Sequence, residues 1–232
     1  MRIEVWSDVV CPWCYIGKRR LERALARFPR SDQVEVLWRS FELDPGAERE
    51  RGGSYEERLA EKYGVSVAEA ARMTDRMTTV AAEEGLPFRF DLARPGNTFD
   101  AHRLLHLARE HGVQGELKER LLRATFTEGA PVGDPATLAR LAGEVGLDAG
   151  EVRRVLDTDR YAVQVRDDER QAASYGIQGV PFFVLDGRYG VSGAQPVEVL
   201  LEVLQRAYAE ARPLAVVTGD DAPGCEGDAC AV

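Results

Sequence analysis

The sequence predicts an α/β fold, a mixed sheet with flanking helices that carries a helical insertion. Three observations predict it. A strand, a Cys-x-x-Cys motif, a helix and a second strand follow one another over residues 2–43. Residues 54–157 contain no convincing strand. A β-hairpin and a closing helix then occupy residues 180–211.

With 232 residues, the chain is long enough to bury most of its apolar surface without disulfide staples. Hydrophobic residues make up 44% and charged residues 30%, an ordinary globular composition. The net charge of -9 arises from 39 acidic against 30 basic residues, and no Lys/Arg block resembles the footprint of a phosphate-backbone binder. Nucleic acid is therefore not an expected partner, and the acidity reads as solubility. In the opening stretch Glu4 and Asp8 interrupt the apolar residues before a signal-peptide core could form. No run approaches the ~20 apolar residues of a membrane span. The expectation is a cytoplasmic protein with no membrane partner.

Residues 2–8 hold Ile3, Val5 and Trp6 in a short β-rich pattern, which predicts a strand ending at Asp8. From Trp13 to Phe28 the apolar positions Ile16, Leu21, Leu25 and Phe28 recur at helical spacing, with Pro29 as the stop. Residues 34–43 alternate as a second strand that stops at Asp44-Pro45. A strand-helix-strand unit of this length implies a parallel pair with a right-handed crossover.

The following segment is rich in Ala, Leu, Glu and Arg, and its clearest helices are Phe99–His111, Leu117–Thr127 and Pro135–Val145. Another helix is expected near Arg160–Tyr175. Val180 to Leu185, the Asp186-Gly187 turn and the run through Tyr189 and Val191 make the hairpin. Ala194 to Ala211 is expected to be helical, with Pro196 near its first turn. The expected organisation is a core domain in two parts, 1–53 and 158–211, around the insertion 54–157, with a flexible tail at 212–232.

Four cysteines are too few for a disulfide scaffold: Cys11 and Cys14 near the start, Cys225 and Cys230 near the end. Paired cysteines in a reducing compartment point to catalysis, redox sensing or metal. A Cys-x-x-Cys at a strand-to-helix turn places Cys11 at a helix N-terminus, where free amide N-H groups and the positive end of the helix dipole stabilise a thiolate. Cys14 lies one turn later on the same side, close enough to resolve a mixed disulfide. Pro12 suits the first helical turn, and Trp13 offers apolar surface beside the reactive sulfur for a docking substrate. Half of a zinc site is the competing reading. It needs two further ligands, and Cys225 and Cys230 supply them only with poor spacing.

Other residues carry weaker signals. His102 and His106 are four apart on an expected helix but have no evident third metal ligand, so packing or surface roles are favoured and no metal is expected. Asp8 and Asp44 lie near strand ends, as helix caps or as proton acceptors for the thiols, with capping favoured.

A set of segments carries a family resemblance: Ser7-Asp8-Val9-Val10-Cys11-Pro12-Trp13-Cys14-Tyr15-Ile16-Gly17, Phe41-Glu42-Leu43-Asp44-Pro45, Asn97-Thr98-Phe99-Asp100-Ala101-His102-Arg103, Gly179-Val180-Pro181-Phe182-Phe183 and Ser192-Gly193-Ala194-Gln195. Through them the chain resembles the DsbA superfamily of thioredoxin-fold proteins, and its FrnE-like cytoplasmic branch in particular. The resemblance implies a thioredoxin-like fold and a thiol-disulfide oxidoreductase. It implies that Pro181 is the cis-proline opposite the redox pair and that the Val180 backbone pairs with an extended substrate. Asn97 and Arg103 match a motif that lies beside the thiol-binding cleft in related glutathione-dependent isomerases and kappa-class transferases, so Asn97 is a candidate substrate contact.

One departure from the family bears on the chemistry. The strongly oxidising DsbA proteins carry His where this chain has Trp13, and an indole does not share a thiolate's charge as imidazolium does. The resemblance therefore implies a less depressed Cys11 and a milder potential, suited to a reductase or isomerase.

The leading expectation is exchange with a disulfide- or thiol-containing protein or small molecule by a monomer or homodimer. No cofactor is expected to be bound, and glutathione or a thioredoxin-type reductant serves as co-substrate. Cys225 and Cys230 form an auxiliary redox pair or two spare thiols. Two alternatives stand beside it. One is a glutathione-dependent isomerase or transferase of the 2-hydroxychromene-2-carboxylate isomerase type, acting on an aromatic or polyketide-like small molecule, although such proteins usually place Ser where this chain has Cys11. The other is a non-catalytic, chaperone-like binding module that docks through the helical insertion.

Overall fold

The computed structural model describes residues 1–49 and 52–211. The tail at 212–232, with Cys225 and Cys230, lies outside the described residues, as does the expected role of that second pair.

Four strands, β1 (Arg2–Ser7), β2 (Glu35–Ser40), β3 (Phe182–Leu185) and β4 (Tyr189–Ser192), form one mixed sheet in the order β2-β1-β3-β4. The β1-β2 pair is parallel, in register from Arg2 opposite Glu35 to Ser7 opposite Ser40. β3 runs antiparallel to β1 and to β4. The expected mixed sheet with flanking helices is thus the observed architecture. The hairpin turn holds Asp186 and Gly187 at φ of 48° and 65°, the left-handed pair that a two-residue hairpin loop requires.

β1 is the central strand, and its alternation sorts its two faces. Ile3 and Val5 point to one side, where they join Leu21 of helix α1 (Pro12–Ala26), Phe28 just after it, and Leu200 and Leu204 of helix α9 (Val197–Glu210). Glu4 and Trp6 face the other side, toward helix α8 (Ala162–Ser174). There Arg39 of β2 bonds both Glu4 and Asp168 of α8, and Asp168 also accepts from the Ser40 amide at 2.9 Å and lies 3.2 Å from His106 Nε2. The Trp6 indole N-H donates to the Asp168 carbonyl at 2.9 Å. A buried charge is tolerated where such a set of partners surrounds it.

Between β2 and β3 run α2 (Tyr55–Tyr63), α3 (Val67–Glu83), α4 (Phe99–Glu110), α5 (Gln114–Phe126), α6 (Pro135–Glu144) and α7 (Ala149–Asp157), followed by α8. Helices α2 and α3 begin with reciprocal capping boxes, Ser54 with Glu57 and Ser66 with Glu69. Helices α4 to α7 enclose a core of Leu104, Leu107, Leu121, Leu138, Leu141 and Val155, and Val9, from the turn after β1, inserts into it. A second cluster joins Tyr15 and Ile16 of α1 to Phe88, Phe90 and Phe126. The chain on both sides of the cysteine pair is therefore anchored in helical packing.

Several boundaries differ from expectation for local reasons. Helix α1 ends at Ala26 rather than Phe28, because the Arg27 and Phe28 amides bond carbonyls only three residues back and tighten the last turn. Strand β2 stops at Ser40, because the next amides are spent on side chains, Leu43 N on Asp8 at 2.8 Å among them. Helix α9 begins at Val197, because Pro196 is its extended N-cap residue.

Candidate active site

Cys11 is the N-cap residue of α1, in extended conformation (φ -96°, ψ 113°), with Pro12 as the first helical residue. Pro lacks the N-H that the first turn leaves unbonded, so it starts this helix at no hydrogen-bonding cost. No acidic residue lies in the first turn to oppose a negative charge at the sulfur. The Cys14 amide bonds the Cys11 carbonyl at 3.1 Å, which closes the turn and sets both side chains on one side. Both cysteines are free thiols. Cys14 is fully buried, Cys11 is 5% exposed, and Trp13 between them is 40% exposed. Of the two cysteines only Cys11 keeps any exposure, beside a broad apolar ring.

The loop before β3 meets the pair from the opposite side. The Val180–Pro181 peptide bond is cis, and the Val180 carbonyl lies 3.5 Å from Cys11 Sγ. Gly17, one turn after Cys14, makes this approach feasible: a Cβ there would lie 2.9 Å from Pro181 Cγ. The structure thus brings Cys11, Pro12, Trp13, Cys14, Val180 and Pro181 together. It spends Asn97 elsewhere, on the Ala47 carbonyl at 3.2 Å and the Phe99 amide at 3.0 Å, where it ties the 45–47 loop to the start of α4. Arg103 is likewise turned inward, onto the carbonyls of Val155, Thr158 and Arg160.

A hydrogen bond with Cys14, with burial behind it, pushes Cys11 well above the ordinary thiol range. Burial alone would also raise Cys14. The hydrogen bond from Cys11, the Lys118 ammonium and the Ser7 hydroxyl outweigh it and lower Cys14. Ser7 Oγ is buried and has no hydrogen-bond partner among the described residues. Within the pair Cys14 thus has the better set of partners for a negative charge than Cys11. The helix N-terminus still faces both sulfurs, but the inner one has the better set of partners.

Beneath the pair, Asp8 is not a helix cap as expected. Its fully buried carboxylate accepts from the Val9 amide at 2.7 Å and the Leu43 amide at 2.8 Å, and lies 3.3 Å from His102 Nε2. Burial would raise its pKa, but His102, the Leu43 amide and Lys118 together lower it. His102 and His106 are both buried, each facing a different aspartate, Asp8 and Asp168. Among the described residues no group of three or more His, Cys, Asp or Glu is placed to hold a metal ion.

Sequence reasoning missed Lys118. It lies wholly buried on α5, its Nζ 3.2 Å from the Ser7 carbonyl and 5.6 Å from the centre of the Trp38 ring. A signal was present, since a lysine adjoins Leu117 and precedes Leu121 and Leu122 by three and four residues on the apolar stripe of a helix.

A cysteine pair capping a helix, opposite a cis-proline loop on a four-stranded mixed sheet, defines a thioredoxin-fold oxidoreductase. Residues 2–205 match the DSBA-like thioredoxin domain, and the chain belongs to that family. It is similar to the probable DsbA oxidoreductase SCO1869 from Streptomyces coelicolor, with a TM-score of 0.91, 49% identity and coverage of 100% of this chain and 99% of that one. It is 29% identical to the uncharacterized protein YwbO of Bacillus subtilis, over 80% of this chain and 86% of YwbO. The cytosolic disulfide reductase DsbM from Pseudomonas aeruginosa shares the fold, with a TM-score of 0.64 at 19% identity over 91% of this chain and 100% of that one. Among the described residues no helix is long and apolar enough to cross a membrane.

Proposed function

We propose that this chain catalyses thiol-disulfide exchange as a cytoplasmic reductase or isomerase, with Cys11 attacking and Cys14 resolving. The observation that carries the reading is the pairing of Cys11, which keeps 5% exposure beside Trp13 and the Val180 carbonyl, with a fully buried Cys14.

Cys11 gives up its proton to water, and the Cys11 thiolate attacks one sulfur of a substrate disulfide. A Cys11-substrate S-S bond forms, the substrate S-S bond breaks, and the departing thiolate takes a proton from water. Cys14 then loses its proton and attacks Cys11 Sγ. The intramolecular disulfide forms and the second substrate thiol leaves, so the protein dithiol is oxidised as one substrate disulfide becomes two thiols. Val180, with Pro181 behind it, offers its backbone to an extended substrate, and Trp13 and Pro12 offer apolar surface.

Trp13 contributes no charge to a Cys11 thiolate, which favours the disulfide form and hence a reducing poise. Glutathione is the proposed small-thiol co-substrate, a reading supported by a structure of DsbM with GSH on the same fold.

The test is insulin reduction by the wild type, Cys11→Ser and Cys14→Ser. Both substitutions are expected to abolish turnover, and Cys14→Ser is expected to accumulate a mixed disulfide through Cys11. Turnover that survives both changes would overturn the reading.

A further inference from the structure

Arg20 stands further along α1 than the cysteine pair, and its guanidinium spans two separate parts of the chain. Nη1 donates to the Ala194 carbonyl at 2.6 Å, and Nε donates to Glu84 Oε1 at 2.7 Å. The Arg20 side chain is 16% exposed and that of Glu84 6%, so both bonds are largely shielded from water. Glu84 is the C-cap residue of α3, and Ala194 lies in the loop between β4 and α9. A single residue of the cysteine helix thus holds one end of an insertion helix and a loop of the sheet.

That loop is in turn fastened to the substrate side of the site. The Gly193 amide donates to the Pro181 carbonyl at 2.8 Å, and Gly193 takes a left-handed φ of 78° that suits glycine. The Gln195 amide and side chain close the loop on itself, onto the Gly193 and Ser192 carbonyls. The loop is therefore tied to Pro181 at Gly193 and to Arg20 at Ala194. Val180, whose carbonyl lies 3.5 Å from Cys11 Sγ, directly precedes Pro181.

Charge neutralisation does not account for Arg20. Glu84 has a second cation in Arg23, whose Nη1 lies 2.6 Å from Oε2, so the end of α3 stays paired with α1 without Arg20. What Arg20 adds is the bond to Ala194. A guanidinium suits that task, because its planar fork reaches two acceptors at a fixed angle where an ammonium is a point charge.

We propose that Arg20 is a positioning residue for the substrate cleft. Oriented by Glu84, it holds the loop between β4 and α9, and through the bond from Gly193 to Pro181 it sets the Val180 backbone against Cys11. The inference rests on the thiol-disulfide reading and deepens it. Arg20 touches neither sulfur. It acts on where an extended substrate is presented to Cys11, so its loss weakens binding of a peptide disulfide more than it slows the exchange step. Through Glu84 the helical insertion is mechanically joined to that cleft.

The test compares wild type with Arg20→Met, which keeps much of the aliphatic stem and removes the fork. Hydrogen exchange followed by NMR is expected to show the Gly193 amide exchanging about tenfold faster than in wild type, with the amides of β1 at their wild-type rates. A Gly193 amide that keeps its wild-type rate, or that quickens only in step with β1, overturns the proposal. In turnover, KM for a peptide disulfide is expected to rise about tenfold while kcat stays within about twofold. An unchanged KM overturns it as well. If the variant does not fold, the decision falls to wild-type protein with isotope-labelled arginine. An Arg20 guanidinium fixed between Ala194 and Glu84 gives separate Nη resonances, which supports the proposal, and one averaged resonance from free rotation overturns it. Neither NMR readout needs turnover. A wild type that fails to reduce insulin would count against the exchange reading alone.

Discussion

Gly17 of α1 and Pro181 of the loop before β3 are packed backbone against ring: a Cβ at position 17 would lie 2.9 Å from Pro181 Cγ and 3.3 Å from Phe183 Cζ. Neither neighbour is the flexible end of a long side chain. The helix bearing the cysteines and the loop bearing Val180 meet at this point, so the distance from Val180 to Cys11 depends on the missing side chain.

Gly17→Ala is therefore expected to destabilise the protein by about 1–3 kcal/mol through overpacking. It should also lower disulfide exchange by moving the Val180 carbonyl away from Cys11. Urea denaturation and insulin reduction on the same preparation check both effects. Wild-type values in both would mean that the loop yields without consequence.

Asp168 carries the buried network on the far face of β1. Asp168→Asn weakens the pairing with Arg39 and His106 and the bond from the Ser40 amide, and is expected to cost about 3–5 kcal/mol. Burial would raise this carboxyl, but His106, the Ser40 amide and Arg39 lower it below its usual 3.8. A carboxyl lowered on folding stabilises the native state above its unfolded pKa, and that stabilisation is lost as pH falls through the folded value. The wild type should lose its advantage over the variant as denaturation curves are taken from neutral pH to below 3.8.

Lys118 has the opposite sense. Its pKa falls from 10.5 to about 8 on folding, so between these values the unfolded chain binds more protons than the native one. Stability from this group therefore rises with pH across that window, by on the order of 3 kcal/mol. The urea midpoint of wild type relative to Lys118→Met should increase between pH 8 and pH 10.5. A constant difference would show that folding leaves the pKa of this amine unchanged.

Arg103 separates a structural role from a substrate role. Its guanidinium satisfies the carbonyls of Val155, Thr158 and Arg160 at the end of α7. Arg103→Met leaves these acceptors unpaired and is expected to cost about 1–3 kcal/mol. KM for a thiol or disulfide substrate should stay unchanged at a temperature where the variant is folded. A rise in KM without loss of stability would restore the cleft role implied by family resemblance.

Much of the fold is written in local pattern. The alternation of Ile3 and Val5, the Asp186-Gly187 turn and the helical period of α1 each have a short-range physical cause, and each element stands near its expected place. The capping boxes Ser54-x-x-Glu57 and Ser66-x-x-Glu69 are equally legible as helix starts, and they divide α2 from α3. Boundaries slipped where a backbone amide found a partner remote in sequence, as Leu43 found Asp8.

For the site, sequence alone offered the cysteine pair and its helix N-terminus, because a motif of four residues is a local structure, whereas the place of Val180-Pro181 beside the pair came from the family resemblance. The tertiary structure decided what surrounds the pair. Lys118 of α5, remote in sequence, is brought with its ammonium 3.2 Å from the Ser7 carbonyl at the end of β1. Electrostatic influence is a matter of distance in space, and the separation of Lys118 from Cys14 along the chain gives no measure of it.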